Sequence, residues 1–181
     1  VDDKAHYYPG ASNFIVKMIA DRNTKKLLGL QVVGQGAVDK IIDIAVMAIS
    51  LNATLDDIED LDLSYAPPFS TAIHPFSHTV NVLLNKINGE IQSITPKEYS
   101  EGKAEGYKVV DASSHPSISG AAFMDLSKVH EKLPQFDKDE KLLLVCTKGK
   151  RAYMLQKRLK SFGYTNTLVL EGGTFFNKLS L

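Results

Sequence analysis

Apolar and polar positions change rhythm near residue 88, and the change separates two kinds of fold. Before it, FIVKMIA and LLGLQVV predict two strands, 14–20 and 26–33. The polar turn Asp21–Lys25 joins them, and a Pro9-Gly10 turn precedes them. Gly34 and Gly36 end the second strand. The stretch AVDKIIDIAVMAISLN then sets Val38, Ile41, Ile42, Ala45 and Ile49 on one stripe, which predicts a helix over 37–51. With Asp39, Lys40 and Asp43 as its few charges, that helix is apolar on more than one side. In so small a unit the surplus face implies a second surface against another domain or subunit; the plainer alternative is the helix core of a three-layer fold. Thr54 followed by acids predicts a short N-capped helix, and APPFS breaks the regular structure. A last helix over 74–87 closes the unit through Val80, Val82, Leu83, Leu84 and Ile87.

Residues 89–104 lose apolar periodicity and gain Gly, Pro, Ser and charge, the signature of a linker. Beyond it YKVVDA reads as a short strand ending at Asp111, and KLLLVC as a central parallel strand covered on both faces. RAYMLQKRLKSFGY is an amphipathic helix with Met154, Leu155, Leu159 and Phe162 inward, stopped by Gly163. NTLVLEGG supplies the next strand, completing a right-handed βαβ unit. The expected organisation is an α+β domain over 1–88, with an antiparallel sheet and helices, then the linker, then an α/β domain over 105–181 with a parallel sheet.

Composition changes this picture little. Of 181 residues 44% are hydrophobic and 23% charged, with zero formal net charge, which points to neither nucleic acid nor a membrane surface. No apolar run approaches the roughly 20 residues that cross a bilayer. A single cysteine excludes an internal disulfide framework and fits a reducing cytoplasm. A start at Val1, without a signal peptide, is that expected of a fragment or processed chain. His74 and His78 are the one histidine pair at i, i+4, after a Pro-rich turn and with no Glu between, so no metal site is expected.

The cysteine carries the candidate chemistry. Cys146, in VCTKGKR, ends the buried strand just before a helix amino terminus, where ligands bind in open α/β sheets. Turn and helix N–H groups point at such a position, and Lys148, Lys150 and Arg151 add positive potential. These effects favour a sulfur anion, the useful nucleophile. Gly149 permits the tight turn. The competing reading is a buried structural thiol beside a solvated basic turn.

Cys146-Thr147-Lys148-Gly149-Lys150-Arg151 resembles the six-residue C-x-x-G-x-R loop of rhodanese-family sulfurtransferases, LVLEGG at 168–173 their L-x-G-G element, and KVVDA their opening strand. The resemblance implies a persulfide on Cys146, its outer sulfur cradled by Arg151 and the amides of Thr147, Lys148, Gly149 and Lys150. The related cysteine phosphatases carry one more residue between Cys and Arg, so the loop length favours sulfur transfer over phosphate hydrolysis. The chain departs from the family in DASSHPSISGAA, where Asp111 is kept and the arginine of D-x-R is read as replaced at Ala112. It departs again at Thr174–Asn177, TFFN, where a tryptophan is common.

YYPGA at 7–11, LLGLQVVGQGAVDKIIDIAVMAI at 27–49 and LDLSYAPPFS at 61–70 resemble the carboxy-terminal dimerisation domain of the pyridine nucleotide-disulfide oxidoreductases, coenzyme A-disulfide reductases and NADH oxidases above all. That resemblance implies a homodimer through 1–88, with FAD- and NAD(P)H-binding domains upstream in the parent and coenzyme A among its ligands. No G-x-G-x-x-G follows a strand here, so these residues alone are expected to bind no flavin. It further implies that Tyr7, Tyr8 and Tyr65 reach the partner's active site and that His74, in AIHPF, acts as acid-base toward the partner's redox dithiol, although Thr79 stands where a supporting glutamate is usual. His78, on the same helical face, is read as structural. The expected function is the carboxyl-terminal part of an FAD- and NAD(P)H-dependent disulfide, coenzyme A-disulfide or polysulfide reductase, with Cys146 passing sulfane sulfur between small molecules. The alternatives are a non-catalytic dimerisation and rhodanese-fold binding module and, less favoured, a cysteine phosphatase.

Overall fold

Side-chain alternation brings β1 (Phe14–Ala20) and β2 (Leu27–Gly34) together as an antiparallel pair, with Phe14 opposite Gly34 and an irregularity between Ile19 and Ala20. The structure is a computed structural model that describes residues 1–129 and 136–179. They divide into two units, Val1–Asn88 and Gly89–Leu181. The turn after β1 closes on Asp21, whose carboxylate accepts from the amides of Asn23 and Thr24. This unit continues with α1 (Val38–Ser50), α2 (Leu55–Glu59) and α3 (Pro75–Ile87). A capping box between Thr54 and Asp57 opens α2. Its core gathers Phe14, Leu27, Ile41, Ala45, Leu55, Ile58, Phe76, Val80 and Leu84.

Two inward assignments are corrected. Ala48, not Ile49, completes the buried stripe of α1, because Ile41, Ala45 and Ala48 follow the helical period against the sheet while Ile49 turns outward. Val82 likewise faces outward on α3, where Val80 and Leu84 are fully buried. The second apolar face of α1 is present: Val46, Met47 and Leu51 are exposed, Leu51 by 74%.

In the second unit β3 (Ser93–Ile94) and α4 (Pro96–Ser100) precede β4 (Lys108–Asp111), β5 (Ala122–Phe123), β6 (Leu142–Val145), α5 (Lys150–Ser161), β7 (Thr167–Leu170) and α6 (Gly173–Phe176). The sheet order is β3-β7-β6-β4-β5, each pairing parallel. Residues 89–104, expected as a linker, thus supply an edge strand and a helix: Ser93 and Ile94 pair with Val169 and Leu170. Gln156 fixes this edge from α5, its amide donating to the Gln92 and Thr167 carbonyls at 2.8 and 3.0 Å and accepting from the Gln92 amide at 3.1 Å. Every residue of β6 is buried, as a central parallel strand requires. Leu142 and Leu144 pack toward Ala152, Leu155 and Leu159 of α5, while Leu143 and Val145 pack with Ile94 and Leu170 on the other face. Met154 is the exception to the expected helix face. It is exposed, because the buried stripe runs through 152, 155 and 159.

Candidate functional site

β6 delivers Cys146 to the carboxyl end of the sheet, buried, with a loop of three residues before α5. The Gly149 amide donates to the Cys146 Sγ at 3.2 Å. Gly149 itself caps α5 at φ +100°, a conformation open to glycine and costly to other residues. The sulfur therefore faces an amide donor at the helix amino terminus. Thr147, Lys148 and Lys150 are exposed on the rim of the loop.

Backbone contacts fix the loop from two sides. The Thr174 amide donates to the Cys146 carbonyl at 3.0 Å and the Phe175 amide to the Thr147 carbonyl at 2.9 Å. On the other side the Ala112 amide donates to the Val145 carbonyl at 2.7 Å. Arg151 closes the loop: its Nε donates to the Ala112 carbonyl at 3.0 Å, and Nη2 lies 3.8 Å from the Asp125 carboxylate. Asp125 was not among the residues picked from the sequence; its one local signal is the Asp-x-Ser turn in which it accepts from the Ser127 amide and hydroxyl. Those two bonds hold its carboxyl below the usual carboxylate range, with Lys128 and Arg151 adding to the effect.

The arginine position of D-x-R is occupied by Ser113, two residues after Asp111, and not by Ala112. Asp111 is buried without that arginine. Its carboxylate accepts from the amides of Ser113, Ser117 and Ile118 at 2.9, 2.6 and 2.9 Å, and from the Ser117 hydroxyl at 3.2 Å. Burial pushes its pKa up, but these bonds outweigh it and the net direction is down. The buried charge is thus satisfied by the turn it organises.

The remaining candidates belong to the first unit. Tyr7, Tyr8 and Tyr65 are exposed, by 68%, 38% and 51%. His74 is buried at the amino terminus of α3, where Nδ1 accepts from the Phe76 amide at 3.2 Å, which places the neutral ring's proton on Nε2. Burial, with Lys40 adding, lowers its pKa from 6.5 to about 4. Thr79 donates its hydroxyl to the Pro75 carbonyl of its own helix at 2.9 Å. Among the described residues no group of three His, Cys, Asp or Glu could hold a metal ion, and no helix is long and apolar enough to cross a membrane.

A parallel sheet with a six-residue Cys-to-Arg loop, preceded by an antiparallel pair with three helices, defines a two-domain class. Residues 1–76 match the pyridine nucleotide-disulphide oxidoreductase dimerisation domain, and residues 92–175 match the rhodanese-like domain. The chain joins these two domains in that order. It is similar to the coenzyme A disulfide reductase of Staphylococcus epidermidis, 39% identical over 71 residues, a match covering 39% of this chain and 16% of that protein. The NAD(P)H sulfur oxidoreductase (CoA-dependent) of Pyrococcus furiosus is 39% identical over 80 residues, 44% of this chain and 18% of that one. Two solved structures cover 96% of this chain and 32% of theirs, each with a TM-score of 0.85: the reduced CoADR-RHD of Bacillus anthracis at 28% identity and an NAD-dependent persulfide reductase from A. fulgidus at 31%. The chain therefore spans well under half the length of these relatives.

Proposed function

We propose that this chain is the dimerising and sulfur-carrying part of an FAD- and NAD(P)H-dependent reductase of disulfides, coenzyme A disulfides or polysulfides, and that Cys146 carries the sulfur. The observation that carries the reading is the loop itself: a sulfur at the carboxyl end of β6, 3.2 Å from the Gly149 amide and at the amino terminus of α5. The likeness over both domains to a persulfide reductase supports it.

The transfer balances without an external oxidant. Cys146 loses its thiol proton to solvent, and Sγ attacks the outer sulfur of a persulfide or polysulfide donor. The donor's S–S bond breaks, its inner sulfur leaves as a thiolate, and a persulfide forms on Cys146. An acceptor thiolate then takes the outer sulfur, breaking the new S–S bond and restoring the Cys146 sulfur anion. FAD and NAD(P)H supply the electrons for reduction in such a reductase. The residues here do not fit those groups: ahead of α1, Gly34-Gln35-Gly36 is followed by Asp39 where the third glycine of the dinucleotide-binding pattern would stand, and the turns after β4, β6 and β7 begin Ala-Ser-Ser, Cys-Thr-Lys-Gly and Glu-Gly-Gly.

In the same reading residues 1–88 form a homodimer. Its support is the exposed apolar face of α1 with Val46 and Met47, continued by Leu51 just past its end, and in this reading the exposed rings of Tyr7, Tyr8 and Tyr65 reach toward the partner. For His74, a buried neutral ring already bonded at Nδ1 favours capping α3 over acid-base work. The wild-type chain is expected to transfer sulfur from polysulfide to cyanide, and Cys146→Ser to abolish the transfer. Equal transfer by the two proteins would sink the assignment. The non-catalytic module, suggested by the missing D-x-R arginine, loses ground because backbone amides already satisfy Asp111.

A further inference from the structure

One residue holds both ends of the sulfur loop. The Ala112 amide bonds to Val145, just before Cys146, and the Ala112 carbonyl accepts from Arg151, the loop's last residue. The guanidinium that reaches Ala112 also approaches Asp125. Two turns further along α5 the pattern repeats: Arg158 Nη1 donates to the Leu126 carbonyl. One face of α5 thus pins residues 125 and 126 at two points, and Arg151 is the point nearer the sulfur. A cation in the first turn of a helix is opposed by the helix dipole, so Arg151 holds its place through partners elsewhere, here a carbonyl and a carboxylate.

We propose that Arg151 is a positioning residue that, with Asp125, closes the sulfur loop onto Ala112, and that the hold on anionic sulfur falls to loop amides such as that of Gly149. The proposal rests on the reading of Cys146 as a sulfur carrier and departs from the expectation that Arg151 binds the outer sulfur itself. In this arrangement the guanidinium charge is partly neutralised by Asp125, and its Nε–H is already engaged by the Ala112 carbonyl.

Alkylation of Cys146, the only thiol in the chain, separates the two roles. Iodoacetamide is neutral and iodoacetate anionic, and the two are close in size. A guanidinium that binds anions at the sulfur speeds iodoacetate selectively, whereas one that holds the loop alters both reactions alike. Arg151→Gln is expected to shift both rate constants together by about threefold or more, through altered loop order, with their ratio kept within about threefold of wild type. A ratio that changes by more, or two rates that each stay within about threefold of wild type, overturns the proposal. Should Arg151→Gln fail to fold, Arg151→Lys replaces it. The lysine keeps the charge without the guanidinium fork, so a shared shift supports positioning and unaltered rates overturn it. Neither measurement uses a sulfur donor, so a chain that failed to transfer sulfur would refute the functional reading while leaving this test readable.

Discussion

Gly173→Ala is the substitution for which the structure gives the sharpest expectation. A methyl group there would sit 1.9 Å from the Cys146 carbonyl oxygen and 2.7 Å from the carbonyl carbon and oxygen of Thr147. All three are backbone atoms of the sulfur loop, so no side chain can swing aside. The residue also lies at φ +51°, where a side chain costs about 1–2 kcal/mol. Relief of the clash must separate α6 from the loop, stretching the bonds from Thr174 to Cys146 and from Phe175 to Thr147. At about 1 kcal/mol net for each bond, the total loss is about 3–4 kcal/mol. Gly106 is the control in the same unit: φ is +78°, but nothing lies within 4 Å of its added Cβ, so Gly106→Ala loses only the conformational part, about 1–2 kcal/mol. Pulsed labelling of Cys146 against urea reports the second unit alone, because that unit buries the chain's one thiol. Gly173→Ala should show a markedly lower urea midpoint than Gly106→Ala. Equal midpoints would refute the steric argument, and with it the idea that α6 fixes the sulfur loop through close backbone contact.

Two further outcomes test the packing and the electrostatics. Gln156→Leu keeps the volume but strands the Gln92 amide and removes one donor each from the Gln92 and Thr167 carbonyls, the former keeping the Val169 amide, so it should destabilise the second unit by about 2–3 kcal/mol and speed amide exchange at Ser93 and Ile94; unaltered exchange would show that β3 holds its edge unaided. The His74 pKa is lowered from 6.5 to about 4, so the unfolded chain takes up a proton that the folded one refuses, and the first unit should lose up to about 3 kcal/mol as pH falls from 6.5 to about 4. Proton NMR of the His74 ring gives the check: titration near 6.5 would contradict the burial argument, and His74→Gln should remove that part of the pH slope.

The longer elements were legible because each buries one face of a repeating pattern. Strands expected at 14–20 and 26–33 and helices at 37–51 and 74–87 agree with β1, β2, α1 and α3 to within a residue or so. β3 and β5 were not legible, since two residues carry no period; they exist because a neighbouring strand offers a ladder. A signal did stand at residue 95, where Thr95 and Glu98 form a capping box with Pro96 at the first helical position, and its polarity read instead as a linker. The inward choices between Ala48 and Ile49, and against Met154, turned on helix rotation, which depends on what the helix meets.

At the site the division is between side chains and backbone. The places of Cys146, Gly149 and Arg151 at the end of β6, in the turn and in the first turn of α5 were legible because a strand, a turn and a helix in that order can be read from residue types. What holds the loop could not be found that way: the donors from Ala112, Thr174 and Phe175 are main-chain groups that any residue but proline carries. Their single trace in the sequence is Gly173, where the backbones come too close for a side chain. Arg151 shows the converse difficulty. Its charge is legible and suggests an anion ligand, but Asp125, twenty-six positions earlier and 3.8 Å from its guanidinium, is a partner that no local pattern announces. A sequence gives the sign and place of a charge along the chain, and only the fold gives the partner that determines whether it acts on a ligand or on the scaffold.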